Sequence, residues 1–253
     1  MIIRAGPDGL TLIRQTEHAR ICGDMARAWG SDDFAAPAPP PAVALAAAEH
    51  DNGWTEWEDT PLLNPRTHQP YHYGDIPIDE HLPIYRRGIA RAIAMDPYAG
   101  LLVSLHGSRL YSDFRAGQPG ADAMLAEQRD QQERLRAELK DDPDYAPYVG
   151  DRELGINSDL IFGWDILSLF LCHGSAWTDA IEFPAGRTGE RQSVAVTGSD
   201  ETWALAPFPF RETLDLRVSA LEIAPAQLRD PGALRQALDA GREVSLRFAL
   251  EPG

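Results

Sequence analysis

Four side chains with metal-binding chemistry stand on separate segments of the chain: His18, the adjacent pair His50 and Asp51, and Asp165. Imidazole nitrogen and carboxylate oxygen commonly hold divalent ions in hydrolases, with positions left open for water. Neighbouring residues on a helix point about 100° apart, yet both members of a doublet reach one site when it lies off the helix end. His106 and Arg109, about one helical turn apart, form a second pair. The imidazole could pass a proton to a leaving group, and the guanidinium could clamp a phosphate.

Each of these residues also has a structural reading. A histidine on an amphipathic helix is commonly a hydrogen-bonded core residue, which applies to His18 and to His106 among its leucines. Asp165 is different, because a carboxylate in so apolar a helix needs a partner or a cation. Asp159, read near the start of the same helix, is explained as a cap or first-turn acid. Trp54 and Trp57 read as a wall of the core, and Arg86 and Arg87 as solvated surface.

The elements that must position these groups read as mainly helical. Apolar residues recur at helical spacing over residues 12–29, with His18 in the middle, and an alanine-rich helix over residues 42–50 ends on the doublet. Residues 54–79, dense in Pro, Gly, Asn and Asp, read as a long ordered loop. Helices follow over residues 81–94, after the Asp96-Pro97 cap, and over residues 121–140, where alternating charges mark a solvated face. Residues 157–172 are apolar nearly all round and read as a central helix. Beyond about Phe183 the texture changes to short alternating runs with one helix near residues 231–240. The expectation is therefore a mainly α core over residues 1–182 and a small antiparallel β annex over residues 183–253, α+β taken together.

Composition narrows the function classes. The chain of 253 residues carries a formal net charge of −16 and a single lysine, Lys140, which argues against long DNA or RNA as a partner. A small phosphorylated molecule is compatible with that charge, since a local metal and a few arginines outweigh a diffuse negative surface. Cys22 and Cys172 lack paired spacing and read as buried free thiols of a reducing compartment. With no apolar run of about 20 residues, the expectation is a soluble, cytoplasmic chain without a membrane partner.

A lone His, a His-Asp doublet and a distant Asp on an apolar helix form an order that resembles the HD-domain superfamily of metal-dependent phosphohydrolases. The surrounding phrases are more specific: Gln15-Thr-Glu-His18-Ala, Ala48-Glu-His-Asp51-Asn-Gly-Trp54, and Asp165 through Cys172. Together they resemble a bacterial family known as a domain of unknown function (DUF3891), over nearly the whole chain. The superfamily resemblance implies a helical bundle in which His18, His50, Asp51 and Asp165 ligate one or two divalent ions of Mn, Mg, Zn, Ni, Co or Fe. His106 is an additional candidate, and His81 falls in the same interval. The expected activity is hydrolysis of a phosphate ester or nucleotide-like small molecule, with Asp51 steering water, His106 serving the leaving group and Arg109 clamping phosphate. Two alternatives stand beside it: an HD-type di-iron oxygenase, and a metal-containing ligand-binding or sensor module without turnover.

Overall fold

The computed structural model describes residues 1–6, 9–174, 177–186, 189–224 and 228–253, with only the backbone of Trp177 described. A hairpin of β1 (Ile2–Gly6) and β2 (Gly9–Ile13) leads into α1 (Gln15–Ala28). Then come α2 (Pro40–Glu49), the short α3 (Thr55–Asp59) and a two-residue ladder of β3 (Leu63–Asn64) with β4 (Gln69–Pro70). Four longer helices follow: α4 (Ile78–Met95), α5 (Pro97–Phe114), α6 (Ala121–Leu139) and α7 (Asp151–His173). The chain closes with β5 (Trp177–Pro184), β6 (Arg191–Ser199), β7 (Thr202–Ala206), β8 (Leu214–Ile223), α8 (Pro231–Asp239) and β9 (Arg242–Pro252).

Local signals explain several of these boundaries. The Asp96 carboxylate accepts a hydrogen bond from the Ala99 amide at 2.8 Å, and Pro97 occupies the first turn, so α5 starts where the sequence places it. Asp230 caps α8 in the same way, 2.9 Å from the Ala233 amide. α2 buries Ala42, Val43, Ala44, Ala46 and Ala47, and these small side chains let α1, α5 and α7 close around it.

The expectation of a mainly α fold with a small β annex is overturned. Seven strands join in one curled, mixed sheet of order β1-β2-β8-β9-β7-β6-β5. The N-terminal hairpin adds to it through β2, which pairs antiparallel with β8 (Leu10 opposite Ile223, Ile13 opposite Ala220). Only β7 and β9 run parallel among the described strands. Strands from both sides of residue 182 thus share a single sheet. The helix expected over residues 12–29 starts later, because Leu12 and Ile13 are the end of β2; two adjacent apolar residues satisfy either period.

The sheet packs on the helices through α1 and α7, with Leu216, Val218 and Ala220 of β8 buried on alternate positions. Trp29 anchors that junction, with its ring centroid 5.3 Å from Phe34, 5.4 Å from Trp164, 4.7 Å from Phe183 and 5.4 Å from Phe210. By length and composition α7 could cross a membrane, contrary to the reading of the apolar runs, but α1, α2, α5, β1 and β5 all pack against it. It is the helix around which the core is built.

Candidate functional site

His18, His50, Asp51 and Asp165 converge on one point, joined by His106. Three close helix contacts make this possible. Gly23 on α1 faces α2 so closely that a Cβ there would stand 2.6 Å from the Ala48 Cβ, which seats His18 beside the end of α2. The doublet follows the last turn of α2, and the chain then runs under α4, where a Cβ on Gly53 would meet the Ile84 carbonyl oxygen at 2.1 Å. α7 brings Asp165 from the opposite side, packed against both α1 and α2. All five side chains are buried.

Hydrogen bonds hold the rings in place. The Ser168 hydroxyl donates to the Asp165 carbonyl oxygen at 2.8 Å, so it accepts from His18 Nδ1 at 2.9 Å. His18 Nε2 is hydrogen-bonded to Asp51 Oδ2 at 3.0 Å. His50 Nδ1 donates to the Ala47 carbonyl oxygen at 2.8 Å, and its Nε2 has no hydrogen-bond partner among the described residues. That nitrogen lies 3.6 Å from Asp165 Oδ1 and 3.8 Å from Asp51 Oδ2. His106 Nε2 is 3.6 Å from Asp165 Oδ2, and neither of its ring nitrogens is hydrogen-bonded among the described residues. The rings themselves touch edge to face, His18 to His50 at 5.1 Å and His50 to His106 at 4.8 Å.

Three imidazoles and two carboxylates thus face one another with no arginine or lysine among them in the described residues. The cluster fits a divalent cation. Donor atoms each about 2.0–2.2 Å from one ion stand roughly 3–3.5 Å apart, close to the separations here. An imidazole that gives its other N–H to a backbone carbonyl, as His50 does, is oriented and made more basic for that role. His50, His106 and Asp165 together offer ligand atoms within 4.8 Å of one another, as do His18, Cys22 and His50.

Without a cation, protons carry the compensation. Burial depresses the His50 pKa most strongly, yet Asp51 and Asp165 outweigh it and lift the ring to about 9. Burial alone would raise both carboxyl groups, but the surrounding histidines hold Asp51 and Asp165 below the usual carboxylate range. His106 goes the other way, down to about 4, through burial first and the neighbouring His50 second.

Residues that sequence reasoning missed complete the shell. Asp51 accepts from Gln15 Nε2 at 3.1 Å and from the Tyr85 hydroxyl at 3.2 Å. The Gln15 backbone N–H in turn donates to both Glu58 oxygens at 3.0 Å. Ser168, one turn after Asp165, and Tyr85, stacked on His81 at 4.6 Å, had helical spacing as their only signal. His81 itself stands in the wall of the adjoining cavity, bonded through Nδ1 to the Tyr111 hydroxyl at 2.8 Å.

Arg109 does not join the cluster. Its guanidinium pairs with Asp159 at 2.8 Å and lies 3.6 Å over the Phe162 ring, and it does not line the cavity. Asp159 is no cap either, since α7 begins at Asp151 and the carboxylate bridges Arg109 and Arg191. Cys22 and Cys172 are buried free thiols.

A cavity of about 460 Å³ opens onto Asp51, His106 and Asp165. Its walls are largely apolar and aromatic, from Trp54, Tyr85, Leu110, Phe162, Ile166 and Leu169, and small enough for one metabolite-sized molecule.

No curated protein and no solved structure matches the chain. A family model described as "Protein of unknown function (DUF3891)" matches residues 1–224, from the first strand through β8 and including every residue of the cluster. The chain therefore belongs to the DUF3891 family.

Proposed function

We propose that this protein is a metal-dependent hydrolase of a phosphate ester or nucleotide-like small molecule, with an HD-type centre held by His18, His50, Asp51 and Asp165. One observation supports this above the rest: two buried carboxylates, Asp51 and Asp165, share one space with three imidazoles, of which His50 Nε2 and both His106 nitrogens make no hydrogen bond among the described residues, and no arginine or lysine pairs with either carboxylate there. Leaving such groups buried and unpaired is costly, and a divalent ion removes the cost.

A bound ion would supply a Lewis acid that polarises a phosphoryl oxygen and acidifies water. The chain's own residues supply position. Asp51, fixed by Gln15, His18 and Tyr85, lines the cavity, where its carboxylate can orient water for attack. His106, with both nitrogens free of hydrogen bonds, is placed to serve the leaving oxygen. The largely apolar walls of the cavity strengthen the electrostatic interactions made there. Arg109 is engaged with Asp159, so its use as a phosphate clamp requires that pair to open. Long nucleic acid and membranes are not the intended partners, and a reducing cytoplasm suits the two thiols.

The same apolar lining favours a second reading, an HD-type di-iron oxygenase acting on a small hydrophobic molecule. Metal identity separates the two. Protein purified without chelator or histidine tag is expected to hold about one or two Mn, Mg, Co, Ni or Zn ions per chain and to hydrolyse p-nitrophenyl phosphate with that metal. Two irons per chain with a visible charge-transfer band, and no phosphatase activity, select the oxygenase. A chain that cannot be loaded with any of these metals refutes both.

A further inference from the structure

The floor of the cavity is one face of α5, on which His106, Leu110 and Phe114 recur every fourth residue. One end of the cavity therefore abuts the His106 and Asp165 side chains. The other lies at the C-terminal end of the helix, about 12 Å away by helical rise. There stands Arg115, the only arginine or lysine lining the cavity among the described residues. Its Nη1 makes two long hydrogen bonds, 3.3 Å to the Ile76 carbonyl oxygen and 3.4 Å to Gln118 Oε1. Among the described residues no carboxylate lies within ion-pair distance of it. Its neighbours on α4 and α5 differ, since Arg86, Arg87, Arg91 and Arg109 each have a carboxylate partner. Between the two ends the walls are half-buried and apolar: Leu110, Phe162, Ile166 and Leu169.

We infer that Arg115 determines specificity, and that the cavity takes an elongated molecule with its reacting group at His106, an apolar middle and a carboxylate or phosphate at the far end. A guanidinium without a carboxylate, backed by the Gln118 amide, presents a fork matched to a two-oxygen anion. Only the reacting end rests on the metal reading; the anionic end rests on Arg115 alone.

Calorimetry on the full-length metal-loaded chain tests this with octanohydroxamic acid, a metal-binding head on an alkyl chain, and its counterpart bearing a terminal carboxylate. Wild type is expected to bind the carboxylate-ended probe about tenfold tighter. Arg115→Ala abolishes that preference and leaves affinity for the methyl-ended probe unchanged, while Arg115→Lys, which keeps the charge and guards against misfolding, retains part of it. Equal binding of both probes by wild type, or a preference that survives Arg115→Ala, overturns the inference. A second arm needs no metal: octanoate is expected to raise the Tm of chelator-treated wild type and not of Arg115→Ala, and an equal rise in both also overturns it. Failure of both hydroxamates to bind wild type, with octanoate still dependent on Arg115, refutes the metal reading and upholds the role of Arg115.

Discussion

Helix α7 carries two aspartates six residues apart, and their surroundings differ in kind. The Asp159 side chain, 25% exposed, meets two fixed cations, Arg109 and Arg191. Asp165, 9% exposed, meets three histidines at 3.6 to 3.7 Å and no arginine or lysine among the described residues. The first is neutralised by the chain itself. The second is surrounded by rings that carry a lone pair or a proton depending on what else is present. A carboxylate paired with arginine has its counterion built in, whereas one ringed by imidazoles depends on protons or, on the proposed reading, on a metal ion.

The largest effect that would break this comparison is on metal retention. Asp165→Ala is expected to lower metal affinity by more than about 100-fold, since even partners outside the ligand shell cost 10–100-fold, while Asp159→Ala leaves it intact. Metal analysis of both proteins after gel filtration decides it, and equal loading would remove the distinction. Next comes stability. If the ion is present at about a thousand times its Kd, its removal costs about 4 kcal/mol, or roughly 8–16 °C in Tm for a chain of this size. Chelator should shift wild type and Asp159→Ala by that amount and leave Asp165→Ala unmoved in a calorimetric scan. Smaller is the expected effect of Ser168→Ala, which frees His18 to rotate, or of Tyr85→Phe, which releases one oxygen of Asp51. Each should weaken metal binding about tenfold in a competition titration without loss of fold. The smallest effect belongs to Asp159→Asn, about 0.5–1 kcal/mol of stability in a urea melt, shrinking in salt because the pair is partly exposed.

The difference between the two aspartates was half legible in the sequence. Asp165 announced itself, because a carboxylate among Leu160, Ile161, Trp164, Ile166 and Leu167 has no business there unpaired. Asp159 was misread because the polar stretch from Asp151, broken by Gly155, hid the first turns of α7 and moved the apparent start of the helix. The partner choice of Arg109 was also invisible, since spacing put it one turn from His106 while packing swung it towards α7. Arg115 gave no signal, as its meaning comes from a wall built by α4, α5 and α7 together. The alternating strands after residue 183 were readable from their period, but the hairpin of β1 and β2 was not. Five-residue strands beside a helix borrow its pattern, and pairing with β8 is a property of the fold.

That pairing has a consequence for the order in which the molecule comes into being. β2 and β8 lie some 200 residues apart in the chain. At about 5–20 residues per second, a growing chain exposes β2 for roughly 10–40 seconds before β8 exists to receive it. His18 follows directly after β2, on the helix that packs against β8. His18 and Asp165 are likewise about 150 residues apart, so the side chains that would hold the proposed ion can meet only once most of the chain has been made.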